Sequence, residues 1–273
     1  MGAILDLLQK NPRALWVDAH AYAAQLLANG AAPWLDPAGF VAWQRKAQGL
    51  LKPDVAVLPA VPVMTAWLAA HPELRAQMAS KSRVTWPLKT LLADEALRAH
   101  LVELAQGLRA GIAGVPLALA LPSPRAAVAW AYVQAHNASA EVGEDEVDSA
   151  AMYLADFLRV FGETGVDVLL LEEAAGYAPA SDQELAAYQS VLNVAAHYRW
   201  DAGLRLDGAG TAHLPAGCAF AIAPQALNGT PTAIALGEDF WTGSEAPPAG
   251  FHYAHVPHDA QPERVLQRLA ALR

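Results

Sequence analysis

A single (β/α)₈ TIM barrel is the fold class that this sequence predicts, and three observations predict it. The chain has 273 residues, close to the usual length of one such barrel and short for two α/β domains. Its β-rich runs are continuous and apolar rather than alternating, as strands covered on both faces read. Stretches at helical spacing separate the early runs, and the runs number eight.

The runs are Asp54–Pro59, Arg83–Trp86, Pro116–Leu121, Asp167–Leu171, Gly203–Leu206, Cys218–Ala223, Thr232–Leu236 and His252–Val256. Helical patterns occupy Pro62–Ser80 and Leu88–Ile112. In Glu144–Phe161, Val147, Ala151, Leu154, Leu158 and Phe161 fall on one face, and Gly162 and Gly165 then supply a stop. Asp182–Arg199 reads as a helix with Ser181 as N-cap, and Pro262–Leu272 closes the chain. The last four runs lie too close together for full helices between them, so irregular connections are expected there.

A ninth run, Ala14–Asp18, precedes the others. It is assigned to a short N-terminal helical extension over residues 1–50 that plugs or flanks a barrel over residues 51–273. The runner-up fold is an open doubly wound sheet, but no Gly-x-Gly-x-x-Gly follows an early strand.

Just over half the residues are hydrophobic and 16% are charged, enough apolar surface for a large core. The net charge of −9 argues against a nucleic-acid partner, because phosphate binding needs a basic face. It leaves room for a small anionic substrate, since a few local Arg or His residues set the sign of a pocket. Cys218 is the sole cysteine, which excludes an internal disulfide and a Cys-rich zinc site. No signal-peptide pattern and no uninterrupted apolar span stand out. The expectation is a cytoplasmic protein with no membrane partner.

In a (β/α)₈ barrel the strand C-termini and the loops after them make the site. Glu172 and Glu173 follow one strand, and period-two alternation sends one into the lumen and the other outward. A partly desolvated carboxylate there serves as a general acid or base; the competing reading is an ion pair to Arg205 on the next strand. Arg205 and Asp207 share a side of that strand, followed by a glycine turn and His213. Ser123, with Pro124 and Arg125, opens a helix whose free N–H groups suit an anion; an ordinary helix start is the alternative. Tyr177 and Trp86 are further candidates for the pocket wall. Asp18 and His20 follow the ninth run and reach toward the same mouth.

Among His252, His255 and His258 the spacing does not aim two imidazoles at one ion. No metal and no cofactor are expected, and His255 is the histidine chosen as proton donor. The catalytic set is therefore Glu172, Glu173, Asp207 and His255; the substrate-binding set is Arg205, Ser123, Arg125, Tyr177, Trp86 and His213.

Three segments together resemble the superfamily of uroporphyrinogen decarboxylase and cobalamin-independent methionine synthase. Val115–Pro124 (VPLALALPSP) is similar to that family's strand and Gly-Pro helix start, with Ser123 where glycine is usual. Gly165–Glu173 (GVDVLLLEE) is similar to its strand ending in an acidic residue. His255–Val265 (HVPHDAQPERV) is similar to its closing strand and Pro-Glu helix start, where the decarboxylase carries a functional histidine near His255.

The departures narrow the implied chemistry. The decarboxylase's Arg-rich substrate loop is absent, and its aspartate after the first barrel strand is also missing, since Asp54–Val61 ends in Pro-Ala-Val. The synthase's His-x-Cys…Cys zinc site is absent as well. The resemblance implies a TIM barrel, a homodimer and a cofactor-independent lyase acting on a small or medium carboxylated substrate. The alternatives are a methyl or alkyl transferase lacking the zinc site and a non-catalytic barrel that binds a ligand or partner.

Overall fold

The computed structural model describes residues 2–175, 185–207, 214–243, 247 and 249–273. Its centre is a curled, all-parallel, eight-stranded sheet with helices alternating around it, a TIM-barrel-like (β/α)₈ fold. The strands are β1 (Leu15–Asp18), β2 (Ala56–Pro59), β3 (Leu117–Pro122), β4 (Val168–Glu172), β5 (Asp201–Arg205), β6 (Cys218–Ala223), β7 (Thr232–Leu236) and β8 (His252–His255). Their order is β1-β8-β7-β6-β5-β4-β3-β2.

Period-two alternation splits each strand between two apolar environments. Inward, Trp16, Ala118, Ala120, Val168, Leu170, Phe220, Ile222 and Tyr253 form one cluster that fills the lumen. Outward, Leu119, Leu121, Leu169, Leu171 and Leu204 pack under the helices. Covering both faces explains why the strands read as unbroken apolar runs. At one place in the lumen a large side chain requires a neighbour with none. A Cβ on Gly203 would lie 2.2 Å from the Phe220 ring, so only glycine admits that ring.

The N-terminal helix α1 (Ala3–Lys10) closes the lower end of the lumen with Ile4, Leu7 and Leu8. The Asp201 carboxylate at the foot of β5 accepts the Ile4 N–H at 2.7 Å, satisfying a donor that the first helical turn cannot. Helix α1 is thus the plug, whereas Ala14–Asp18, grouped with it in the sequence reading, is not. Leu15–Asp18 is a full member of the sheet, paired in register with His252–His255. The barrel accordingly begins well before residue 51.

The strand expected at Arg83–Trp86 is absent. Val84 and Thr85 form a turn, and Trp86 opens the helix Trp86–Leu92 with Pro87 in its first turn. A residue before proline is biased toward extended backbone, which is why this segment reads as a strand. Two long helical patterns are each divided. Pro62–Ser80 breaks at His71–Pro72 into Ala60–Ala70 and Pro72–Met78, since Pro72 cannot continue the earlier helix. Leu88–Ile112 breaks before Asp94, which caps Glu95–Gly111 by accepting the Leu97 N–H at 2.7 Å. Glu144–Leu158 stands as expected and ends in a 3₁₀ turn, Arg159–Phe161. Of the helix expected over Asp182–Arg199, Gln189–His197 is observed, and Ser181 lies outside the described residues. Short connections do join the last strands and, among the described residues, carry one brief helix, Glu238–Thr242, before β8.

Candidate functional site

A polar network lines the upper end of the lumen, where β1, β4, β5 and β8 end. Register builds it. Asp18 pairs with His255 across β1 and β8, and Glu172 pairs with Arg205 across β4 and β5. All four residues fall on inward positions of their strands.

Asp18 is the hub of one half. The Tyr253 hydroxyl donates to its Oδ2 at 2.9 Å, and His255 Nδ1 meets the same oxygen at 2.9 Å. His20 Nδ1 meets the other oxygen, Oδ1, at 3.2 Å. Arg205 is the hub of the other half. Its Nη1 donates to Glu172 Oε1 at 2.9 Å, its Nε lies 3.3 Å from Asp207 Oδ1, and its guanidinium carbon sits 4.9 Å from the centre of the Tyr253 ring. Tyr253 joins the halves, its ring under the cation and its hydroxyl on the carboxylate.

These contacts set the protonation states. Burial acts to raise the Asp18 carboxyl, but hydrogen bonds and charge from His20 and His255 override it and hold Asp18 well below the usual carboxylate range. The reciprocal bond from Asp18 raises His255 above its ordinary value against burial. Burial raises Glu172, with Arg205 opposing. Burial and the Asp18 charge push the Tyr253 phenol well up, so it remains a donor. For Arg205 burial acts downward, but Tyr253, Glu172, Asp207 and Asp18 raise it further, keeping it cationic.

The His255 side chain is 58% exposed. With Nδ1 turned to Asp18, Nε2 is the nitrogen left toward the adjoining cleft. That cleft has a volume of about 880 Å³, and Arg205, Asp207, Tyr253, His255, His258 and Trp241 are among its walls. Among the described residues Arg205 is bonded through Nη1 and Nε, leaving Nη2 for a ligand anion. A cation and an imidazole braced by a carboxylate thus flank one open space, an arrangement able to hold an anion and pass it a proton.

Four residues of the expected catalytic and binding sets, Glu172, Arg205, Asp207 and His255, meet at this mouth, as do Asp18 and His20, expected there from the end of the ninth run. Glu173 does not. It is buried on the helix-facing side, where Ser123 Oγ donates to Oε2 at 2.7 Å and the Tyr188 hydroxyl donates to Oε1. Ser123 is wholly buried in that contact and caps the helix Pro124–His136, with the Ala126 N–H 3.3 Å from its hydroxyl oxygen. The Ser123 hydroxyl, anticipated as part of an anion site at the mouth, is therefore engaged by the protein's own Glu173 carboxylate. Arg125 donates to the Val142 carbonyl and lines a separate groove with Glu144 and Asp148. Trp86 is likewise away from the mouth. Its indole N–H is 3.1 Å from both the Gln77 carbonyl and Ser80 Oγ, and the Lys81 ammonium covers its ring at 3.4 Å, fastening two outer helices together. Tyr177 and His213 lie outside the described residues.

Tyr253 was not singled out by the sequence reading, because an aromatic residue on an apolar strand reads as packing. The available signal was its place two residues before His255, on the same strand face. Cys218 is partly buried and its thiol is pushed up to about 12 by that burial, an inert packing residue. Among the described residues no group of three or more His, Cys, Asp or Glu side chains is arranged to hold a metal ion, and no helix is long and apolar enough to cross a membrane. The chain matches no protein-family model and no curated protein sequence.

Proposed function

We propose that this chain is a cofactor-independent lyase of the decarboxylase type, acting on a small or medium carboxylated substrate. One observation carries the reading: His255, braced by Asp18 through Nδ1, presents its other nitrogen to a cleft that also holds the Arg205 cation.

Each residue has a role in that chemistry. Arg205 pairs with the substrate through Nη2 while Glu172 and Asp207 keep its fork in place. The bond between the carboxyl carbon and its neighbour breaks, CO₂ leaves, and the electron pair remains on the neighbouring carbon. A carbonyl or conjugated ring in the substrate must delocalise that pair. Protonated His255 delivers the Nε2 proton to the carbon and is recharged from solvent. Asp18 stabilises the imidazolium and fixes the ring, as a buried carboxylate does for a general acid.

The first-strand aspartate supports a place in the uroporphyrinogen decarboxylase superfamily. The first strand of the sheet is Leu15–Asp18 rather than Asp54–Pro59, and it ends in an aspartate. An aspartate at that place agrees with the decarboxylase pattern, while the missing arginine loop points to a different substrate.

The test is a panel of carboxylic acids bearing an adjacent electron sink, incubated with the full chain in D₂O. The expected result is CO₂ release with one deuterium placed at the carbon that lost it. His255→Gln is expected to slow turnover by about 10²–10⁴-fold, the range for loss of a positioned acid. A substrate turned over equally well by His255→Gln would overturn the assignment of the proton donor.

A further inference from the structure

Seven of the eight strand interfaces are hydrogen-bonded ladders, and the interface between β1 and β2 is not. These two edges meet only at their lower end. There the Asp54 N–H donates to the Leu15 carbonyl at 2.8 Å, and the Asp54 carboxylate accepts the Leu15 N–H at 2.7 Å. Above that clamp the strands separate. The carbonyls of Ala14 and Asp18 bond toward β8, so alternation turns the backbone groups of Val17 toward β2. The Ala56 N–H bonds to Pro116 beside β3, so those of Val57 face β1. Among the described residues no hydrogen bond joins Val17 to Val57.

A cavity of about 30 Å³ lies in this seam. Its walls include Val17, Val57, His20, Ala47 and Gln44, the last from the helix Pro37–Leu51. The Gln44 amide nitrogen is buried without a hydrogen-bond partner. Most of the walls are apolar, but the facing edges, the unpartnered amide and the imidazole place several polar groups around this one space. Buried backbone groups that lack a protein partner are satisfied by bound water as a rule. A water needs about 10–15 Å³ of such space and two to four polar partners, so the cavity has room for about two.

We infer that the β1–β2 seam is a built water site, in which about two ordered waters replace the missing ladder and bind Gln44 Nε2 and the Val17 and Val57 backbone. His20 forms part of the wall and also bonds Asp18, so the bound water adjoins the polar network at the mouth. The inference stands independently of the proposed reaction.

The decisive observation is a crystal structure of the full chain at a resolution that shows solvent. Water peaks between Val17 and Val57, within hydrogen-bonding distance of Gln44, are the expected result. A direct Val17–Val57 ladder, or a seam without density, would overturn it. The substitution Gln44→Met, close in size, gives a test of opposite signs. In a dry seam it removes an unpartnered polar group and raises Tm. In a hydrated seam it takes a partner from bound water, and the expected change is a fall of about 2–4 °C. Should the variant fail to fold, the wild-type density decides alone.

Discussion

Glu172 and Glu173 are neighbours in sequence and opposites in the structure. The Glu172 side chain is 30% exposed at the open mouth and shares Arg205 with Asp207. Glu173 is 7% exposed, sealed between the sheet and the outer helices by Ser123 and Tyr188. One step along a strand carries a carboxylate from a place where it can meet a ligand to a place where it fastens the fold. Residue type and position at a strand end are thus insufficient to nominate a reacting group; the face decides.

The largest effect that separates the two concerns stability. Glu173→Ala removes the acceptor of two buried hydroxyls and leaves a void, so a loss of about 3 kcal/mol is expected in thermal or urea unfolding. Ligand binding per folded molecule should be preserved. A loss well below about 1 kcal/mol would show that Ser123 and Tyr188 find other partners.

Glu172→Gln should behave in the reverse way. Half-exposed ion pairs contribute little, so unfolding should shift by no more than about 1 kcal/mol. Removing that negative charge leaves Arg205 less neutralised, and the affinity for small carboxylates, measured by calorimetry, should rise severalfold. An unchanged or weaker affinity would mean that Glu172 contributes to the ligand's own binding contacts.

The smallest effect is a pH signature of the mouth. Asp18 is depressed in the folded state, so its contribution exists above its ordinary value of 3.8 and is lost as pH falls. His255 is raised, so its contribution is complete below its ordinary value of 6.5 and is lost as pH rises through the folded value. The pair therefore stabilises most between these limits, by a fraction of about 1 kcal/mol given the exposure of His255. Asp18→Asn should flatten the stability profile in that window, as followed by urea unfolding across pH.

The sequence made the barrel legible because strands covered on both faces leave unbroken apolar runs, as in Leu117–Pro122 and Val168–Glu172. Its strand count came out at eight with one wrong member. Arg83–Trp86 imitated a strand through β-branched and pre-proline residues, and so displaced Leu15–Asp18 from the barrel. That exchange obscured the hub of the site: Asp18 and His20 were expected near the mouth but outside the catalytic set, whereas His20, Tyr253 and His255 converge on Asp18. Arg205, Glu172 and Asp207 were legible because they sit on adjacent strands at inward positions. The partnership of Tyr253 with Asp18 was not, because it spans 235 residues and depends on the closing register of β8 against β1. Nor does periodicity reveal that Ser123 bonds Glu173 beneath the helices rather than turning toward a ligand.

The central claim is that Asp18 holds His255 as a proton donor facing the cleft. NMR titration of the His255 ring, in wild type and in Asp18→Asn, tests it without requiring the substrate. The account predicts a wild-type pKa above 6.5 and a marked fall in the variant. The same titration in both proteins would contradict it.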